Sequence, residues 1–329
     1  MRTSISAALV LYVTAVCAAA DPWADVVVAY SAQLNGSGLY NDPAAVLGPP
    51  ATTYYDPFEA VQFTTSMAGA PFNLDAPGGH KIITTIPSTQ FVIVAFDGPV
   101  QDDPRNPYGL DLLVFGNAFF GSTGGVTPTA NMANVHITDG FVTDEPVLVA
   151  VSSSGLGTPS TQPAEWYVYT AGPWADGFFP TQAYSWNHGT GAWGQALDFT
   201  RPVDPALEPA DFAGLSVADA ISYYGGSGGG TGFDLAESGF SSIRYVYLSS
   251  ALAGESGEID ALADVFASLG DADRSGRVDL ADFAGVQRCF SMGRGSVGLS
   301  DVCRFADFDG DLDVDASDYA AFAGFLTGP

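Results

Sequence analysis

Two acidic stretches near the C-terminal end, DADRSGRVDLAD (Asp271 to Asp282) and DFDGDLDVDASD (Asp307 to Asp318), decide how the last part of this chain folds. Both place oxygen-bearing side chains at positions 1, 3, 5, 9 and 12, the spacing by which a twelve-residue loop coils around one Ca²⁺. Calcium takes about six to eight hard oxygen ligands, and only a tightly coiled loop brings alternate side chains to one point. The first loop supplies Asp271, Asp273, Ser275, the carbonyl of Arg277, Asp279 and Asp282, with Gly276 at the turn. The second supplies Asp307, Asp309, Asp311, the carbonyl of Asp313, Asp315 and Asp318. Each has a valine at position 8, Val278 and Val314, where paired loops meet, and each runs into an apolar helix-like segment. The competing reading is an acidic solvated tail.

Loops of this form, closing on Asp at position 12 where ordinary EF-hands favour Glu, resemble the dockerin module of secreted polysaccharide-degrading assemblies. The resemblance covers about the last 60 residues. It implies a small calcium-folded helical domain that docks onto a cohesin-like receptor or another cell-surface protein. Two features depart from the pattern. Leu312 occupies the turn-glycine position, where a left-handed conformation costs a branched residue about 1–2 kcal/mol. The stretch Ile259 to Ala267 reads as an entering helix, which a dockerin lacks, so an ordinary EF-hand pair is the alternative.

At the other end, Arg2 precedes an apolar run from Ile5 to Val16, and Ala18-Ala19-Ala20 ahead of Asp21 fits the small-residue cleavage rule. Residues 1–20 read as a secretory signal peptide, which predicts an extracellular, surface-associated protein and no integral membrane span. Of three cysteines, Cys289 and Cys303 lie between the calcium loops. In an oxidising compartment they close a ring; two free buried thiols are the alternative. A formal charge of −27 and a pI near 4.1 exclude nucleic acids and anionic membranes as partners, because those need lysine and arginine to displace counterions. Hydrophobic residues at 47 % against 14 % charged exclude a disordered acidic polymer.

Residues 21–266 read as one mainly β domain and 267–329 as the calcium module. Short β-branched runs bounded by turn residues predict strands at Asp25 to Tyr30, Phe91 to Phe96, Leu110 to Phe115, Pro146 to Val151, Trp166 to Thr170 and Ser242 to Leu248. A helical interruption is predicted at Ser216 to Tyr223, and Gly121 to Ala130 and Gly225 to Gly232 read as loops. Without alternating long helices, an antiparallel β-sandwich of jelly-roll type is expected. Ala45-Val-Leu-Gly-Pro, Phe91-Val-Ile-Val-Ala-Phe-Asp with Pro99-Val-Gln-Asp, and Gly109-Leu-Asp-Leu-Leu-Val-Phe-Gly-Asn come first among a series of matching phrases. Val149-Ala-Val-Ser, Gly232-Phe-Asp-Leu-Ala and Ile243-Arg-Tyr-Val complete it. Their order resembles discoidin-like sandwiches of bacterial surface proteins, which implies a binding or structural module and carries over no catalytic residues.

Carboxylates at Asp102, Asp103, Asp111, Glu145, Glu165 and Asp234 offer material for a glycosidase, but nothing in their spacing selects a pair. Asp102, Asp103 and Asp111 read as a solvated turn, or as a further structural calcium site. Asp234 and Asp260 read as turn caps or acceptors of backbone amides, and His80, His136 and His188 as isolated structural residues. Aromatics from Trp166 to Trp193 offer either a glycan-stacking face or staples for long loops. The expectation is a non-catalytic secreted surface protein whose sandwich binds a ligand, a polysaccharide among the candidates. The alternatives are a polysaccharide hydrolase delivered by its dockerin and a purely structural envelope protein.

Overall fold

The computed structural model describes residues 21–31, 40, 42–104, 106–252, 254–265, 270, 272, 278–290, 301–306, 308 and 313–326. With 34 % strand and 19 % helix, against the roughly 20–25 % and 30–35 % of an ordinary domain, the chain is mainly β. Nine strands build two sheets: β1 (Val26–Tyr30), β2 (Thr84–Ile86), β3 (Phe91–Gln101), β4 (Leu112–Gly116), β5 (Val147–Ser152), β6 (Tyr167–Val168), β7 (Thr231–Phe233), β8 (Ser242–Ser250) and β9 (Gly257–Asp264). One sheet runs β1-β3-β8-β5-β6 and the other β7-β4-β9-β2, and every pairing is antiparallel.

Alternation turns one face of each sheet inward. Val92, Val94 and Phe96 from β3, Val149 and Val151 from β5, and Val246 and Leu248 from β8 are buried in the same cluster as Leu112, Val114, Phe233, Ile259 and Leu262 from the other sheet. That shared core is consistent with a β-sandwich, and it is the main term favouring the folded state, at about 1.5–3 kcal/mol per large apolar side chain buried. The opposite face of β3 and β5 is covered as well: Ile93 and Ala150 lie under Trp166, whose indole Nε1 donates to the Leu156 carbonyl at 3.0 Å.

A second apolar cluster holds the long loops. Phe120, Met132, Ile137, Phe212, Val217 and Tyr224 gather around the hairpin of Phe119–Thr123 with His136–Thr143 and the helical turns from Val217 to Tyr224. Ser216 caps those turns by accepting from the Asp219 amide at 3.1 Å, in the place the sequence predicts.

All six predicted strands form, within a few residues of their expected ends. Two readings need correction. The stretch from Ile259 is β9, a central strand as far as Asp264, and not an entering helix; Phe266 and Ala267 lie outside the described residues. Its run of Ala, Leu and Asp favours a helix locally, but a strand flanked on both sides and covered on both faces loses the alternation that would reveal it. The glycine-rich stretches are not wholly loops, because Phe119–Thr123 reaches into the first and Thr231–Phe233 begins in the second. Gly230 there has φ +87°, and a Cβ on it would lie 2.8 Å from the Phe115 ring.

In the C-terminal region the described elements are a helix at Leu280–Cys289, a 3₁₀ segment at Asp301–Ala306 and a helix at Ala316–Phe325. Val278, Val286, Ala306, Val314 and Phe322 form their buried cluster. Phe283 packs on Tyr319 and Phe322, with ring centroids 5.7 and 5.9 Å away. Cys289 and Cys303 are joined by a disulfide, Cα–Cα 5.3 Å, which tethers the end of the first helix to the 3₁₀ segment.

Candidate metal centre

The two loops enter their helices in the same way. In the first, Asp282 is fully buried and its Oδ2 accepts the Asp279 amide at 2.7 Å. In the second, Asp318 is fully buried and its Oδ2 accepts the Asp315 amide at 2.7 Å. Position 12 thus grips the amide of position 9 in both, closing the loop onto the first helical turn. Asp318 Oδ1 also accepts the Phe308 amide at 2.7 Å and Asp315 Oδ1 the Ser317 amide at 2.6 Å, while Asp315 and Asp318 form a reciprocal capping box.

Carboxylate oxygens of Asp313, Asp315 and Asp318 come within 4.8 Å of one another. Carboxylate oxygens are the hard donors that Ca²⁺ takes. The expected donor set uses the backbone carbonyl of Asp313; the structure brings its side chain to the group as well. Asp271, Asp273, Ser275, Arg277, Asp307, Asp309 and Asp311 lie outside the described residues, as do Gly276 and Leu312. The position-8 valines, Val278 and Val314, share one buried cluster.

The sandwich has its own acidic group, and it differs from the expected one. Asp102 and Asp111 meet Asp234, with oxygens within 4.8 Å. Asp103 is not part of that trio. Its backbone amide donates to Asp111 Oδ1 at 2.9 Å. Asp111 is fully buried and also accepts from Asn106 Nδ2 at 2.7 Å and the Leu235 amide at 2.9 Å. Burial raises its pKa while those three donors oppose the rise. The carboxylate ties the 102–111 turn to the loop after β7. Asp234 caps that loop through the Ala236 amide at 2.8 Å.

A further acidic group went unread in the sequence. Asp176 is buried and accepts from the Ala118 amide at 2.9 Å; burial, then Glu145, pushes its pKa well up. Glu145 is raised to about 7 by burial, then by Glu258, Glu255 and Asp144. Only glycine fits at Gly116, since a Cβ there would lie 2.1 Å from Asp176 Oδ1. These residues come from three distant stretches, and no sequence spacing links them.

The remaining candidates have structural surroundings. Glu165 accepts from Ser154 Oγ at 2.6 Å, and Ser152 Oγ accepts the Ser154 and Gly155 amides. His80 and His188 lie 3.7 and 3.9 Å from Asp75 and Asp219 in exposed pairs, while His136 is an exposed residue of the loop-core hairpin. Trp166, Tyr169 and Phe179 are buried, and Trp186 and Trp193 pack edge to face against the loop core. Trp174 is 44 % exposed. Phe178 and Phe179 line a cavity of about 320 Å³ together with Pro173, Pro202, Asp234 and Glu237. Among the described residues no helix is long and apolar enough to cross a membrane. No known protein family matches the chain, and no significant match exists among curated proteins.

Proposed function

We propose that this chain is a secreted, non-catalytic surface protein. In this reading a discoidin-like, jelly-roll sandwich carries a ligand site, and a dockerin-type pair of calcium loops attaches it to a cohesin-like or other surface protein. One observation carries the docking half: the repeated grip of a buried position-12 aspartate on the position-9 amide, 2.7 Å in both loops, joined in the second to a three-carboxylate cluster. Duplication of that unit at a spacing of 36 residues, Asp282 to Asp318, presents two similar helix starts. Leu280 and Tyr319, at 78 % and 52 % exposure, are the large apolar groups those starts leave outside. The 320 Å³ cavity with paired phenylalanines and an acidic rim supports a ligand module, because aromatic faces stack on sugar rings while carboxylates accept from hydroxyls.

The test is capture of the full chain on an immobilised cohesin domain with Ca²⁺ and with chelator. Binding lost with chelator, kept by either Leu280→Glu or Tyr319→Glu and lost in the double variant supports two interchangeable faces. Loss with either single variant favours an ordinary EF-hand pair with one groove. A second reading, a hydrolase carried by the same module, has Glu145 in its favour, since a carboxyl raised to about 7 by burial and neighbouring acids is suited to general-acid work. Glu145 does not line the 320 Å³ cavity. Release of reducing ends from polysaccharide, abolished by Glu145→Gln, would establish it.

A further inference from the structure

The sandwich contains one carboxyl group that its surroundings satisfy only in part. Asp260 stands at a bulge in β9, where Ile259 pairs with Gly116 and Ala261 with Phe115, so that Asp260 has no opposite residue on β4. A bulge re-aims a side chain. This one directs Asp260 toward the Pro49–Thr53 segment, where Oδ2 accepts the Ala51 amide at 2.9 Å. That is its single hydrogen bond, although the residue is only 3 % exposed. A buried polar group left with spare capacity calls for an explanation.

Asp260 also lines a cavity of about 350 Å³ with Pro49, Thr52, Asp75 and Lys81. Lys81 is the single lysine of a 329-residue chain with a net charge of −27. Its Nζ lies 5.9 Å from the centre of the Tyr40 ring, and among the described residues no carboxylate pairs with it. Asp75, the other acid at this cavity, is turned to the His80 amide at 2.7 Å. In so acidic a protein, a lone cation held at a cavity without a carboxylate partner is placed to receive an anion from outside.

Burial raises Asp260 to about 8, so near neutral pH it keeps its proton. Because Oδ2 accepts from Ala51, a protonated Asp260 has Oδ1 as its hydroxyl, a donor at the wall of the cavity. Two donors thus face one space with a carboxylate, Asp75, at its edge. A dianion such as phosphate would be repelled by Asp75, whereas a monoanion bearing hydroxyls satisfies all three. The volume, at the lower end of the roughly 300–1,000 Å³ of ligand cavities, suits one sugar ring.

We propose that this cavity binds a uronate-type residue of an acidic polysaccharide, its carboxylate held by Lys81 and Asp260 and a hydroxyl by Asp75. The assignment deepens the reading of the sandwich as a ligand module and rests on it; it is independent of calcium and docking.

Calorimetric titration of the full chain with galacturonate, galactose and inorganic phosphate, beside a glycan array, tests it. Galacturonate is expected to bind where galactose and phosphate do not, and Lys81→Met to weaken it by about tenfold or more. Asp260→Asn keeps an acceptor for Ala51 and a donor for the ligand, so it retains binding. Between about pH 6 and about pH 9, either side of the raised value of Asp260, wild type loses affinity as the new carboxylate repels the ligand, and Asp260→Asn holds more of it. Lys81 and Asp75 face the same cavity, Tyr40 lies beside Lys81, and Glu258 lies two residues back on β9. All are common to both proteins, so the difference isolates Asp260. Equal binding of galactose or phosphate, or galacturonate binding that survives Lys81→Met, overturns the cavity assignment and leaves the ligand-module reading standing. A blank array together with no titration signal overturns both.

Discussion

The sandwich and the C-terminal helical pair reach a folded state by different means. In the sandwich, 21 buried residues drawn from both sheets and their loops form one apolar cluster. Among the described residues of the helical pair the corresponding cluster has five. A core that small does not offset the conformational entropy of ordering its chain. What the helical pair has instead is a cross-link and converging carboxylates: the Cys289–Cys303 bridge and the Asp313, Asp315 and Asp318 cluster. Like charges brought together in this way oppose folding until a cation neutralises them. One chain thus holds a part stable by burial and, in the proposed reading, a part whose stability is borrowed from Ca²⁺ in solution.

The strongest way to break this contrast is chelation. With EDTA the full chain is expected to lose hydrogen-exchange protection throughout 280–289 and 316–325 while 91–101 and 242–250 keep theirs. Unchanged protection in the helices would end the calcium reading. Next in size is a cavity in the sandwich. Leu248→Ala, at a fully buried site, should cost about 2–5 kcal/mol by urea unfolding, with or without Ca²⁺. A calcium-dependent cost would mean that the two parts are coupled.

A comparable effect is expected from Asp318→Ala, which removes a proposed ligand and leaves the Phe308 and Asp315 amides without their acceptor. Each orphaned amide costs about 1–3 kcal/mol, so Ca²⁺ titration should show weaker binding and a lower melting point for the helices alone. pH acts on the sandwich and not on the helices. Burial raises Asp260 to about 8 and Glu145 to about 7, against about 3.9 and 4.3 in an unfolded chain. The folded state therefore binds more protons than the unfolded state between about pH 4 and 8, and stability falls as pH rises through that window. Urea midpoints across it should decline in wild type and less steeply in Asp260→Asn. The smallest change is Leu312→Gly: if the twelve-residue pattern sets a left-handed turn at this position, glycine saves about 1 kcal/mol, and Ca²⁺ titration should show binding tightened about fivefold.

The strands were legible where the sequence is β-branched and one-sided, as in Phe91 to Phe96 and Ser242 to Leu248. They were hidden where both faces are covered, as in β9. The two matching helix starts at Leu280 and Ala316 were legible because the repeat is local: twelve consecutive residues contain the whole pattern. The sandwich clusters were not, because their members meet through the fold. Asp111 and Asp234 are 123 residues apart and Lys81 and Asp260 are 179 apart, and no spacing rule reaches across two sheets. The aromatic stretch was half legible. Its richness marked a region needing rings, but only packing could divide Tyr169 and Trp166, which are buried, from Trp174, which is not.

The disulfide has a mechanical meaning. Tension transmitted along the backbone toward the C-terminus crosses from Cys289 to Cys303 through the S–S bond, a Cα–Cα distance of 5.3 Å, and bypasses the chain between them. Fourteen residue steps drawn taut would lengthen the tether by roughly 45–50 Å at about 3.3–3.6 Å each. The bridge withholds most of that extension, so a protein held by this end under flow stays on a short leash even when its helices give way.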